Sequence, residues 1–463
     1  MKVIQISLLL SLGLGTVTAQ SATPASTAQT ASYMDKLTAS TASYAKKGEF
    51  AGQTITVACR RLPAMDFIAA NAKIFEEYTG AKVQFTNFPE NELRSKLVAD
   101  ASAKAGGFNL YCLDGNSVPL FANNSWIRPI GSLIVPAYKL GDIEKSLQGL
   151  YSWKGKLYGL PIYSEQTILY YRKDLFQEAG IKVPNTMDEY EAAAKALTKA
   201  PRVYGTSLRG LRGEGMNIYT WSGFLRSYGG TFLDAKMNPN FYSKEAVNAT
   251  EKYASLIKNY GPPGAGSFGW PEVSSAFSAG RLAMIIESTA FYPTFNDPKQ
   301  SSVAGKVGYA LVPAGPSGRF PANYSIGMAL PAVMKNAEAA KAAAAFLQWS
   351  TSQELEFART DAGVGNQDRI SVSNSALLKQ KLDPAYIRAV NESAKITRSE
   401  YRPLIPQWRE MGDILGEELG KVFVGTDTAD AALKRAQERV TSSFKAAGVL
   451  GTPRPVNEAF PGK

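Results

Sequence analysis

A chain of 463 residues, 45% hydrophobic and 20% charged, can bury a sizeable core and is long enough for two or three domains. Its 51 basic residues are spread among 40 acidic ones without a dense run, so the net charge of +11 describes a solvated basic surface and offers no clustered face for nucleic acid. Histidine is absent and there are only two cysteines, which excludes Ser-His-Asp and Cys-His catalysis and the usual zinc and non-haem iron sites. Carboxylate chemistry, an oxygen-ligand cation and plain ligand binding survive, and no EF-hand, Walker A or dinucleotide-binding loop occurs.

Lys2 precedes an apolar run from Val3 to Val17 and a small-residue site at Val17-Thr18-Ala19, the pattern of a secretory signal peptide over residues 1–19. The run is too short, and too rich in Gly, Ser and Thr, for a permanent membrane span. No cysteine stands at the cleavage site, so no lipid anchor is expected, and the reading is a soluble periplasmic protein. Residues 20–49 form a polar leader, expected to be partly disordered, with a short helix over 33–47.

Regular alternation then begins: a strand over 55–59, a helix over 63–78 ended by Gly80, a strand over 82–88, a helix over 90–105 and a strand over 108–114. This is the signature of parallel βαβ units, whose ligands lie outside the carboxyl ends of the strands. Arg60, Arg61 and Asp114 stand at those ends. Each also has an ordinary structural reading, as a surface ion pair or a turn cap. Cys59 and Cys112 lie near the ends of the first and third strands, which are neighbours in the order 2-1-3. A disulfide is expected between them in an oxidising compartment; two buried thiols are the competing reading.

Residues 153–197 describe a crossing between lobes. The hairpin KGKLYGLP leads through IYSEQ into the apolar strand TILYY and a short helix closed by Gly180. Thr186 and Glu189 then form a capping box. This passage resembles the family 1 extracellular solute-binding proteins, the sugar-binding group typified by maltose-binding protein. Further resemblance lies in FGWPEVSSAFSAGRLAMIIE over 268–287, VGYALVPAGPSG over 307–318, NYSIGMALP over 323–331 and FLQWSTSQ over 346–353. RPLIPQWREMGDILGEEL over 402–419 resembles the sugar and polyol branch, and coverage extends from Thr54 to about Gly448.

The resemblance implies an α/β, two-lobe periplasmic binding protein fold of type II, each lobe a mixed, mostly parallel sheet flanked by helices, with three hinge crossings. The lobes are expected at 50–161 plus 318–349 and at 162–317 plus 350–455. It also implies the substrate-binding component of an ABC importer, working as a monomer with membrane permease subunits, without cofactor, metal or catalytic residues. The alternative is a secreted lyase or glycosidase using paired carboxylates such as Glu165 and Glu287.

A sugar or polyol site needs flat apolar surfaces for C–H faces and charged or amide groups for hydroxyls. Trp221, Trp270 and Tyr324 are the stacking candidates, Asp114, Glu165 and Glu287 the acceptors, and Arg60 a donor. In the family the residues just after the Gly-Leu-Pro hinge strand face the cleft, and Tyr163, Ser164 and Glu165 stand there. The loop GVGNQDRIS matches the family's Gly-rich cleft loop and adds Asn366, Gln367 and Arg369. Trp221 lies inside a helix with Phe224 and Leu225, which equally describes a core residue. Glu287 directly follows a buried strand, which equally describes a hinge ion pair. Tyr170 and Tyr171 alternate along a strand, so only one of them can face a cleft.

Overall fold

The computed structural model describes residues 32–455 apart from Lys335 and Gly365; the expected signal peptide and leader residues 20–31 lie outside the described residues. Three parallel strands open the first lobe: β1 (Thr54–Cys59), β2 (Lys82–Asn87) and β3 (Leu110–Asp114), with β1 in the middle. Between β1 and β2 runs the helix Pro63–Thr79, with proline in its first turn and Gly80 at φ 78° as its left-handed stop. Cys59 and Cys112 occupy neighbouring positions on β1 and β3 and are joined as a disulfide, with 4.9 Å between Cα atoms.

A hairpin, β4 (Ser152–Trp153) and β5 (Lys156–Leu157), turns through Lys154 and Gly155, both at positive φ, as a two-residue hairpin loop requires. It delivers the chain into β6 (Gly159–Arg172), the strand shared by both lobes. The second lobe adds β7 (Tyr204–Ser207), β8 (Leu282–Ser288) and β9 (Val307–Ala310), and β10 (Asn323–Ala329) returns to the first. The resulting sheet has the order β2-β1-β3-β10-β6-β8-β7, with β9 also on β6. Residues 159–166 of β6 pair with β10, whereas 167–172 pair with β8 and β9, all antiparallel. One continuous strand therefore crosses between the lobes. The register slips between Ile326 and Gly327, opposite Pro161. Proline has no ladder N–H to give, so an irregularity is the natural accommodation.

Each lobe has its own core. Ile55, Val57, Phe75, Leu110, Phe121, Tyr151 and Phe346 belong to the first; Trp221, Phe224, Tyr253, Trp408, Leu415 and Phe444 belong to the second. A further aromatic cluster in the second lobe contains Tyr170, Phe277, Phe295 and Tyr386. Among the described residues no helix is long and apolar enough to cross a membrane.

The structure corrects two sequence boundaries. Residues 33–50 are part of the first lobe, not a loose leader: the helix Tyr33–Ser40 buries Leu37 completely, Tyr33 stacks on Phe357, and Thr41 Oγ1 accepts a hydrogen bond from Trp349 Nε1 at 3.1 Å. The third crossing also falls later than residue 350. Ser352 caps a further helix, Gln353–Asp361, and Leu355 and Ala358 bury against the first lobe. The chain passes to the second lobe after that helix.

Candidate ligand-binding cleft

Alternation along the hinge strands decides what faces the cleft. Glu165 on β6 is directly opposite Tyr324 on β10, and Tyr163 stands two residues before Glu165 on the same face. These three side chains line an interlobe cavity of about 530 Å³. The neighbouring pair, Gln166 opposite Asn323, faces the other way, as does Ser164.

The first lobe contributes a closed ring of ion pairs and hydrogen bonds beneath the cleft. Arg60 pairs with Glu90, Glu90 with Arg94 at 2.8 Å, and Arg94 Nε with Asp114 at 2.6 Å. Asp114 accepts a hydrogen bond from the Tyr324 hydroxyl, which in turn accepts from Arg60 Nη2 at 2.9 Å. Burial alone would raise Glu90, but the Arg60 and Arg94 guanidiniums prevail and hold it at about 2. The ring fixes Arg60 and Tyr324, which line the cavity. Asp114 does not line it, because both its oxygens face Arg94 and Tyr324. It is a positioning residue, not the direct ligand acceptor expected.

The second lobe builds a matching clamp. Arg209 is bidentate to Glu287, donates from Nη1 to the Gly215 carbonyl at 2.6 Å, and lies 4.6 Å from the centre of the Tyr219 ring. Glu287 is fully buried, and its oxygens accept from Arg209 and from the Ser288 backbone N–H. It holds Arg209 at the cavity wall and does not line the cavity itself, so of its two expected roles it takes the ion pair and not the ligand acceptor. Glu165 is different: it accepts a hydrogen bond from Tyr163 and forms no ion pair among the described residues. Burial pushes its carboxyl up, opposed by the Tyr163 hydrogen bond and by the charges of Arg209 and Arg60.

Aromatic rings complete the cavity. Trp270 begins the helix Trp270–Ser278, is only partly buried and stacks on Phe291 with centroids 5.8 Å apart; Phe88, Tyr219 and Tyr324 line the same space. The Tyr219 hydroxyl and Arg60 Nε are buried without a hydrogen-bond partner among the described residues. Arg60, Arg209, Tyr219 and Glu165 thus meet flat apolar faces at one cavity, a combination suited to a neutral polyhydroxylated molecule. No group of carboxylates or cysteines that could hold a metal is found among the described residues.

A model of the bacterial extracellular solute-binding protein family matches residues 62–356. The chain belongs to that family. This solute-binding protein is 31% identical over 418 residues to the mannitol-binding protein of Pseudomonas aeruginosa, a match covering 86% of this chain and 94% of the relative. Its fold is similar to an ABC transporter solute-binding protein of Agrobacterium vitis with bound D-mannitol, at 29% identity and a TM-score of 0.79, covering 86% of this chain and 99% of the other. A counterpart from Agrobacterium radiobacter in complex with ribitol gives 28% identity and a TM-score of 0.80, covering 85% and 100%.

The remaining expected site residues of this solute-binding protein lie elsewhere. Trp221 is fully buried in the second core, its Nε1 donating to Thr250 at 2.9 Å. Neither Tyr170 nor Tyr171 lines the cleft: Tyr170 is in the aromatic cluster and donates to the Ser288 carbonyl at 2.8 Å, and Tyr171 packs at 5.1 Å on Phe176. Among the described residues of the Gly-rich loop only Val364 lines the cleft. Asn366 and Gln367 turn to a second cavity behind the hinge. Arg369 is buried against Tyr138, Asp142 and the Thr351 carbonyl. Glu90, Arg209 and Tyr219 are additions the sequence reading missed. Glu90 and Arg209 follow β2 and β7 within a few residues, so their place beyond the carboxyl ends of strands was the available signal.

Proposed function

We propose that this solute-binding protein captures a small sugar alcohol in its interlobe cleft and, as a monomer in the periplasm, presents the closed form to the membrane subunits of an ABC importer. The observation that carries the ligand class is the convergence of Glu165, Arg60, Arg209 and Tyr219 on one cavity beside Trp270. Glu165 is the acceptor for ligand hydroxyls, Arg60 and Tyr219 are donors, Trp270 receives the C–H face of the ligand, and Tyr163 and Tyr324 shape the wall between them. The likeness to a mannitol-binding protein and to structures holding D-mannitol and ribitol supports an open-chain polyol over a larger oligosaccharide. Each hydrogen bond to a charged partner contributes about 1.5–3 kcal/mol, so a few of them with one stacked face support a micromolar complex at about −8 kcal/mol.

Binding without turnover fits the same geometry. Paired-carboxylate hydrolysis needs a second acid or base facing the substrate. Glu287 is enclosed by Arg209 and Glu90 by two arginines, leaving Glu165 without a free carboxylate partner.

Calorimetry on protein stripped of carried-over ligand tests the reading. Mannitol or ribitol should bind with micromolar or tighter affinity, and maltose should not compete. Absence of binding to alditols, together with tight binding of a disaccharide, would overturn it.

A further inference from the structure

Behind the hinge lies a second cavity of about 500 Å³, separated from the cleft by β6 and β10. The hinge strands supply its floor with Ser164, Gln166 and Asn323, each on the face opposite Tyr163, Glu165 and Tyr324. Asn366 enters from the loop after the helix Gln353–Asp361. Ser146 comes from the first lobe, and Asn391 from the helix Pro384–Ile396 of the second. The cavity thus has walls from both lobes.

Its polar lining is carboxamides and hydroxyls, set beside an apolar wall of Leu378, Leu382, Ile387 and Val390. Asn323 is 5% and Asn366 8% exposed, and Asn366 Nδ2 is buried with no hydrogen-bond partner among the described residues. The Gln166 and Asn323 side chains likewise make no hydrogen bond among the described residues. The charged side chains at the lining, Glu144 and Lys395, are of opposite sign and exposed. A buried amide N–H left unpaired is destabilising, so a lining of this kind favours an occupant able to donate and accept without carrying charge. Vicinal hydroxyls meet that requirement against a carboxamide; an ion does not.

We propose that this cavity is a second solute site, taking one small neutral polyol on the hinge face opposite the cleft. The occupant touches both lobes and the strands joining them, so its binding is linked to the angle between the lobes. By reciprocity, occupancy of either site then alters the affinity of the other.

The test uses the full exported chain with erythritol as the probe, followed by saturation-transfer NMR after the cleft has been filled with D-mannitol. Wild-type protein should show saturable millimolar binding. Gln166→Leu and Asn391→Leu should each weaken it by at least about tenfold while keeping the wild-type melting temperature. Asn391 is exposed, so that variant stays informative if Gln166→Leu fails to fold. Trp270→Ala, measured without mannitol, should retain erythritol binding behind the hinge. Failure of mannitol to fill the cleft would count against the cleft reading alone, since the Trp270→Ala experiment still reads the second site. Absence of saturable erythritol binding, or binding that neither Leu substitution weakens, would show a cavity holding water only and overturn the proposal.

Discussion

Glu90 of the first lobe lies against Gly215 of the second, so close that a Cβ on Gly215 would overlap Glu90 Oε1. Beside this contact Arg409 donates to the Arg94 carbonyl at 3.1 Å, and Arg402 reaches Asn116 at 3.0 Å. The lobes therefore meet at Glu90 and Arg94, members of the ring that positions Arg60 and Tyr324, and at Asn116 beside it. Contacts that exist only when the lobes meet are what give a ligand preference for the closed form.

Gly215→Ala should disfavour closure without disturbing either core. Glu90 cannot move aside freely, being held by both Arg60 and Arg94. Polyol affinity should fall at least about tenfold, about 1.4 kcal/mol, with an unchanged melting temperature in the absence of ligand. X-ray scattering at subsaturating ligand should show a larger radius of gyration than for wild type. Unchanged affinity would mean that the Glu90 contact has no part in closure.

Trp270→Ala addresses the aromatic wall. Its ring is partly exposed and stacks only on Phe291 among the described residues, so the apo protein should lose little stability. Ligand affinity should drop by at least about tenfold. A sharp fall in thermal stability with unaltered affinity of the folded fraction would place Trp270 in the core.

The cysteines make a separate prediction. Denaturing thiol titration of non-reduced protein should find no free thiol. The bridge spans 53 residues of sequence, so its reduction should lower stability by about 4 kcal/mol through the gain in unfolded-chain entropy. Two reactive thiols in promptly alkylated material would contradict the linkage.

How much of this was legible in the sequence differs by the range of the interaction. Strands β1 to β3 and the hinge strand were readable because short apolar and aromatic runs alternate with helical segments, and Gly80 and Gly180 mark helix ends locally. Glu165, Trp270 and Tyr324, which line the cavity, were offered by the family resemblance, with the Gly/Pro-rich loop as further support for Trp270. The partners of the ion pairs were not readable. A hinge ion pair was one of two readings for Glu287, but neither Arg209, 78 residues away, nor Arg94, 20 residues from Asp114, carries a local sign of its attachment. The loop after Gly363 failed for a related reason: its residue types suit a cleft, but only the path of the chain over the hinge shows that Asn366 and Gln367 face its other side.

Asp368, in that same loop, supplies a pH test. It is 2% exposed, and burial, together with the neighbouring Glu356 charge, pushes its carboxyl up to about 7 against the lowering influence of Arg359 and Arg369. A raised folded-state value means that the native protein holds a proton the unfolded chain has released. The associated stability is full below about pH 4 and is lost as pH rises through about 7. Asp368→Asn removes this titration, so the decline in melting temperature between about pH 5 and about pH 8 should be shallower than in wild type. Parallel profiles would show that Asp368 is not protonated in the folded protein.

Glu165 should bind a polyol and not cleave a sugar, and Glu165→Gln separates the two roles. The substitution keeps the size of the side chain and removes its charge, so calorimetry should record a loss of about 1.5–3 kcal/mol in polyol affinity, the contribution of one charged hydrogen bond. Wild-type protein incubated with the ligand should return it intact, and scattering should still show the compact form of the variant at saturation. Product released by the wild type, with the Gln variant binding substrate tightly but inert, would contradict the account.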